Sequence, residues 1–153
     1  MDEEITIGSD NWKPKNSYND FYGEMSIKEA VARSSNIPAV KILDMVGLNT
    51  SFGYLQNKFH FSTLSDKDKN YSSLSLGGLT NGVTVKEMAS AYSAFANEGK
   101  YIAPYTYTQV LDSAGNVILQ NGENSSQAIS PAAAYITADL LKGVVNSRVG
   151  TGR

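Results

Sequence analysis

Two hydroxyls and a carboxamide, Ser34, Ser35 and Asn36, fall together in Ala32-Arg33-Ser34-Ser35-Asn36-Ile37-Pro38-Ala39-Val40, where one apolar helical pattern stops and another starts. A hydroxyl and a carboxamide each donate and accept hydrogen bonds, so such a corner can hold a peptide group or pass a proton. The same residues have a plain structural use. Asn36 can cap the helix that begins beside Pro38, and the serines can satisfy the last carbonyls of the helix before it. Spacing alone leaves both uses open.

Other chemistry has thinner support. His60 is the single histidine, and no G-x-S-x-G elbow accompanies it to suggest a Ser-His-carboxylate triad. One histidine with no cysteine and no H-E-x-x-H does not compose a zinc site. Gly150-Thr151-Gly152 lacks the further glycine and lysine of a phosphate loop. Among the carboxylates, Glu87 reads as a helix cap and Asp112 as a turn residue, and with Glu98 they form no pair suited to glycoside hydrolysis. The tyrosines, Tyr92, Tyr105 and Tyr107 among them, read as packing residues.

Composition narrows the classes further. The chain has 153 residues, 41% of them hydrophobic, enough for one domain with a core of its own. Thirteen basic against fifteen acidic side chains give a net charge of −2, which excludes the electrostatic footprint of nucleic-acid binding. The absence of cysteine removes disulfides, thiolate nucleophiles and thiolate metal sites without fixing a compartment. Met1-Asp2-Glu3-Glu4 is acidic where a signal peptide is basic and then apolar.

The elements that position the corner are mostly helical. Ile5 to Phe21 is aromatic and turn-rich, an irregular lead-in. Ser26 and Glu29 have capping-box spacing, and a short helix to about Ser34 follows. The next helix starts beside Pro38, carries Ala39, Ile42, Leu43 and Val46 on one face, and ends at Gly47. A third runs from about Thr50 to Phe59, and Ser62 to Ser75 reads as a solvated loop. Thr84 and Glu87 repeat the box before a helix with Met88, Tyr92, Phe95 and Ala96 on one face, ended by Gly99. Tyr105–Val110 and Asn116–Leu119 flank Asp112-Ser113-Ala114-Gly115 as a hairpin. Ser130-Pro131 opens a last helix with Ala133, Ile136, Leu140 and Val144 inward. The expected class is mainly α with one β-hairpin.

A second segment bears on the corner. Leu76-Gly77-Gly78, Gly82-Val83-Thr84, Glu87-Met88-Ala89, Ala91-Tyr92 and Phe95-Ala96-Asn97-Glu98-Gly99 resemble, in order and spacing, the transpeptidase domain of bifunctional (class A) penicillin-binding proteins. Ser34-Ser35-Asn36 matches that family's S-x-N motif, and Ile37-Pro38-Ala39-Val40 looks like its continuation. The resemblance covers most of the chain, most densely Ser26–Val46 and Leu76–Tyr101. It implies that Ser34 relays a proton to the departing amine, and that Asn36 hydrogen-bonds the substrate's peptide group and steadies a catalytic lysine.

The family's other two motifs, S-x-x-K with the nucleophilic serine and K-T-G, do not occur in this sequence. Residues 1–153 are therefore expected to be a partial transpeptidase domain, the helical part of the α/β (α+β) penicillin-binding protein/β-lactamase-like fold, incomplete at both ends and inactive alone. Such a piece is expected to expose apolar surface and to self-associate. The resemblance implies a bacterial parent enzyme that cross-links peptidoglycan stem peptides through a serine acyl-enzyme and binds β-lactams. It places that parent on the extracytoplasmic face of the cytoplasmic membrane, held by an anchor that residues 1–153 do not contain, with no cofactor and with the rest of the same domain as partner. The alternative is a non-catalytic peptide- or glycan-binding module of the same fold.

Overall fold

The computed structural model describes residues 1–18 and 20–153. Helix α1 (Ile27–Ala32) starts because the Ser26 hydroxyl accepts the free Glu29 N–H. The expected box closes by half only. Glu29 does not reach back, because its carboxylate is held one turn on by Arg33 Nε at 2.8 Å. Helix α2 (Asn36–Val46) follows after three residues and ends at Gly47, whose φ of 88° suits a residue without a Cβ. Helix α3 (Leu48–Asn57) begins directly after that glycine, two residues earlier than its sequence pattern suggests.

Ser62–Ser75 is not merely a solvated loop. It contains a turn of 3-10 helix at Asp66–Asp68 and helix α4 (Tyr71–Leu76), capped by Asn70. Asp68 is wholly buried and accepts from Ser65 N–H, Thr80 N–H and Thr80 Oγ1 at 2.9, 2.7 and 2.6 Å. The Thr80 bonds, and after them Ser65, hold its carboxyl below the usual range. The polar composition that reads as loop is thus partly an internal brace, a carboxylate that replaces missing apolar contacts.

Helix α5 (Val85–Ala96) opens with both halves of the Thr84–Glu87 box in place. Its buried face is Glu87, Ser90, Ala91 and Ala94, not the expected Met88, Tyr92 and Phe95 face. Small residues let the helix lie close to its neighbours, so the large ones fall on its flanks. Tyr92 is 54% exposed and meets the Phe95 ring edge-on, which makes it a flank rather than a core residue. The same principle governs helix α6 (Pro131–Asn146), packed on α1 and α5 through buried Ala134 and Gly143. Ala133 and Ile136 are exposed, and Leu140 and Val144 are half-buried. A Cβ on Gly143 would lie in ordinary van der Waals contact with Lys28 and Ala32, so α1 and α6 pack closely at that glycine.

The expected hairpin is present as β2 (Gln109–Leu111) and β3 (Val117–Gln120), with Asp112 closing the turn by accepting from the Ala114 and Asn116 N–H groups. It is shorter at its start than Tyr105–Val110 suggests, and Tyr105 and Tyr107 are exposed rather than packed. The hairpin is nested inside a second antiparallel pair, β1 (Lys100–Ile102) with β4 (Ser125–Gln127), joining residues too far apart for a sequence pattern to announce. Phe59, Phe61, Ala91, Ala94, Tyr101 and Ala128 form the core between α5 and this ladder. Mainly helical architecture with small antiparallel sheets is the outcome, as the sequence indicates.

Glu87 belongs to that core's rim and gives a first test. It caps α5 and also accepts Ser62 N–H at 2.8 Å. Ser62 first, and then Thr84, lower its carboxyl from 4.5 to about 2. A carboxyl depressed on folding contributes stability that is fully present above its unfolded value and is lost as pH falls through its folded one. Glu87→Gln should therefore weaken the fold at neutral pH, with the gap to the parent shrinking between pH 4.5 and about 2. Urea unfolding at pH 7 and pH 3 checks this, and a gap that does not change with pH would refute it.

Candidate functional site

The corner between α1 and α2 is built by a helix stop that would ordinarily want glycine. Ser35 N–H bonds Ala30 O at 2.9 Å and Ser34 N–H bonds Val31 O at 3.1 Å, the two bonds of a Schellman ending. Ser34 therefore occupies the left-handed position, with φ of 55°. For a residue with a Cβ this costs about 1–2 kcal/mol. The α1 carbonyls are closed by the serine N–H groups, so the serine hydroxyls are not needed for that structural use.

Ser35 stands at the N-cap of α2, yet its hydroxyl does not cap it. It is turned instead to the Tyr18 hydroxyl at 2.6 Å. The free donors of the first turn, Asn36 N–H and Ile37 N–H, go to Asn16 Oδ1 at 2.9 and 3.3 Å. Asn36 is the first helical residue rather than the cap, with Pro38 in the first turn where no N–H is required. Ile37 and Val40, both fully buried, root the helix, each by roughly 1.5–3 kcal/mol of apolar burial.

Asn36 Nδ2 donates to Lys15 O at 2.8 Å. A carbonyl in that place fixes which end of the carboxamide points to the lead-in. Its Oδ1 and second Nδ2 hydrogen have no partner among the described residues, and neither does the exposed Ser34 hydroxyl. Both residues line one open groove of about 520 Å³, whose other walls include Val31, Ala39, Ile42, Val46 and Leu76. The expected apolar face of α2 thus divides: Leu43 is buried, while Ile42 and Val46 remain exposed to the groove. What the arrangement offers is a strained hydroxyl and an oriented carboxamide beside an apolar trough.

Tyr18 completes the corner by donating to Asp2 Oδ2 at 3.0 Å while it shares a bond with Ser35. Burial is the main cause that raises its phenol above the ordinary value; the Ser35 bond opposes this and Asp2 adds to it. The phenol stays neutral at physiological pH, able to give one bond and take another. At the other end of the fold, Thr151 N–H docks on Ala32 O at 3.1 Å, so the Gly150–Gly152 turn runs back beside the corner.

The sequence pattern finds Ser34 and Asn36 and misses Asp2, Asn16 and Tyr18. Their bonds to the corner cross 17 to 21 residues, or pass through one another, and leave no periodic trace. The only hint is polar residues recurring in an otherwise aromatic lead-in. His60 is exposed, at φ of 54°, with its ring 5.1 Å from Tyr101, and no carboxylate among the described residues bonds it.

Comparison with known proteins shows what the chain as a whole is similar to. The family model described as "Penicillin binding protein transpeptidase domain" matches residues 1–153. Penicillin-binding protein 1A of Clostridium novyi is 41% identical over 152 residues, which is 99% of this chain and 17% of that protein. Penicillin-binding protein 4 of Bacillus subtilis is 34% identical over 145 residues, 95% of this chain and 23% of that protein. The chain therefore spans less than a quarter of the length of either relative. Penicillin-binding protein 1A of Haemophilus influenzae shares the fold at a TM-score of 0.78 and 20% identity, over 99% of this chain and 28% of that structure.

Proposed function

The chain belongs to the penicillin-binding protein transpeptidase family, and on that footing we propose that residues 1–153 supply the S-x-N corner of a peptidoglycan D,D-transpeptidase domain. The parent enzyme cross-links stem peptides through a serine acyl-enzyme and is acylated by β-lactams. Asn36 holds the substrate's peptide group with its free Oδ1 and N–H and steadies the catalytic lysine; Ser34 passes a proton to the departing amine. The observation that carries this reading is Ser34 itself, a serine kept in a left-handed conformation with its hydroxyl unused. Strain of this kind persists where the surroundings over-determine it, and it clusters at working sites.

Neither the nucleophile nor its lysine base is among these residues, since no serine here is followed three positions on by lysine. Both, with the K-T-G strand, lie on other residues of the same domain in this proposal. The parent sits on the outer face of the bacterial cytoplasmic membrane; among the described residues no helix is long and apolar enough to cross it. The test is to label the intact protein with a fluorescent penicillin and map the adduct by mass spectrometry. The expected result is an adduct on the serine of an S-x-x-K outside residues 1–153, with no label on residues 1–153 made alone. An intact protein that takes no label would instead favour a non-catalytic binding module of the same fold.

A further inference from the structure

The lead-in before α1 is a closed loop with a polar interior, and that interior grips the corner. Its ends are paired, Asp2 N–H to Gly23 O at 2.7 Å and Gly23 N–H to Asp2 O at 3.0 Å. Inside, the Asp2 carboxylate, with no exposed surface, accepts from Asn16 Nδ2, Tyr18 OH and Tyr22 N–H at 2.7, 3.0 and 3.1 Å. Asn16 is thereby fixed at both ends of its carboxamide. Nδ2 faces Asp2 and the Asp20 carbonyl, while Oδ1 faces the first two N–H groups of α2.

An N-terminal turn is normally closed by the residue just before the helix. Here that task has moved to a residue twenty positions away, and the neighbouring Lys15 carbonyl holds the Asn36 side chain. Two consecutive residues therefore fix both the backbone and the carboxamide of Asn36. Tyr18, on the same carboxylate, fixes Ser35 between the two motif residues. Resting on the function proposed above, we infer that Asn16, oriented by Asp2, is a positioning residue that acts through Asn36: it sets the direction in which the S-x-N carboxamide faces the groove.

The donor and acceptor pattern gives a sharp test. Asn16→Asp puts two carboxylates face to face, and Asp2→Asn leaves a single side-chain oxygen that cannot accept from Asn16 Nδ2 on one side and from Tyr18 OH and Tyr22 N–H on the other. The double variant N16D/D2N restores one carboxylate bonded to one amide, still with an acceptor toward Asn36 and Ile37. In the full-length protein, the measurements are the saturating rate constant of acylation by a fluorescent penicillin and the fraction of molecules acylated at completion. Asn16→Ala should slow acylation by about 100-fold, the scale of an ångström-level misplacement, with the acylatable fraction retained. Each exchange alone should be slow and the double exchange should recover most of the rate.

If the variants lower the fraction acylated while the surviving molecules react at the parent rate, Asn16 is only a brace and the inference falls. It also falls if both single exchanges react at the parent rate. Asn36→Ala, run alongside, separates the layers. A slow Asn36→Ala with parent-rate Asn16 variants overturns the positioning role alone, whereas a parent-rate Asn36→Ala overturns the reading of Asn36 together with this inference.

Discussion

Asn36→Ala in the intact protein should lower the acylation rate by about 100-fold or more, the scale of removing one preorganised hydrogen-bond donor from a reacting centre. The fold should hardly notice. The one side-chain bond lost, Nδ2 to Lys15 O, is exposed, and such a bond contributes about 0.5–1.5 kcal/mol. The α2 N-terminus stays closed, because Asn16 takes the backbone N–H of residue 36 whatever its side chain. Rate and stability should therefore separate: a large kinetic loss with a thermal midpoint near that of the parent. Unchanged labelling by a fluorescent penicillin would remove Asn36 from the mechanism.

Ser34 differs in what a substitution reads out. Glycine at this position would relieve the left-handed strain and alanine would keep it, while both remove the hydroxyl. The proposed proton relay needs the hydroxyl and not the strain. A helix ending that forgoes glycine for serine is thus a place where local preference and chemistry disagree, and the disagreement points to the chemistry.

What the sequence announces, and what it hides, follows from the range of the forces involved. Thr84 and Glu87 announce α5 because a capping box is complete within four residues. Gly47 announces the end of α2 for the same reason. The apolar pattern points to the wrong inward faces for α5 and α6 because hydrophobicity counts large residues, while close helix packing is decided by small ones, Ala91, Ala94, Ala134 and Gly143. Asp68 leaves no trace as a core residue because its three bonds come from two residues, Ser65 and Thr80, that are themselves polar. At the site, Ser34 and Asn36 were legible as a contiguous motif. Asn16, Asp2 and Tyr18 were not, since what they do depends on a loop closing across more than twenty residues.

Gly99 carries the largest structural expectation. It follows α5, sits at φ of 79°, and its carbonyl accepts both the Ala128 and Ile129 N–H groups at 2.9 and 3.2 Å. A Cβ there would run into the Ile129 carbonyl oxygen and lie 2.9 Å from the carbon behind it. Neither atom can move without breaking the entry to the β1–β4 ladder, on which Tyr101 and Ala128 reach the core. Gly77 supplies the control, with φ of 80° and nothing within 4 Å of its Cβ position. Gly77→Ala should cost only the left-handed strain, about 1–2 kcal/mol. Gly99→Ala adds a collision with backbone and should cost roughly 2–6 kcal/mol. At about 2–4 °C per kcal/mol for a domain of this size, the temperature at which the intact protein loses penicillin labelling should fall clearly further for Gly99→Ala than for Gly77→Ala. Equal losses would mean that the conformation alone, and not the approach of Ile129, requires glycine at position 99.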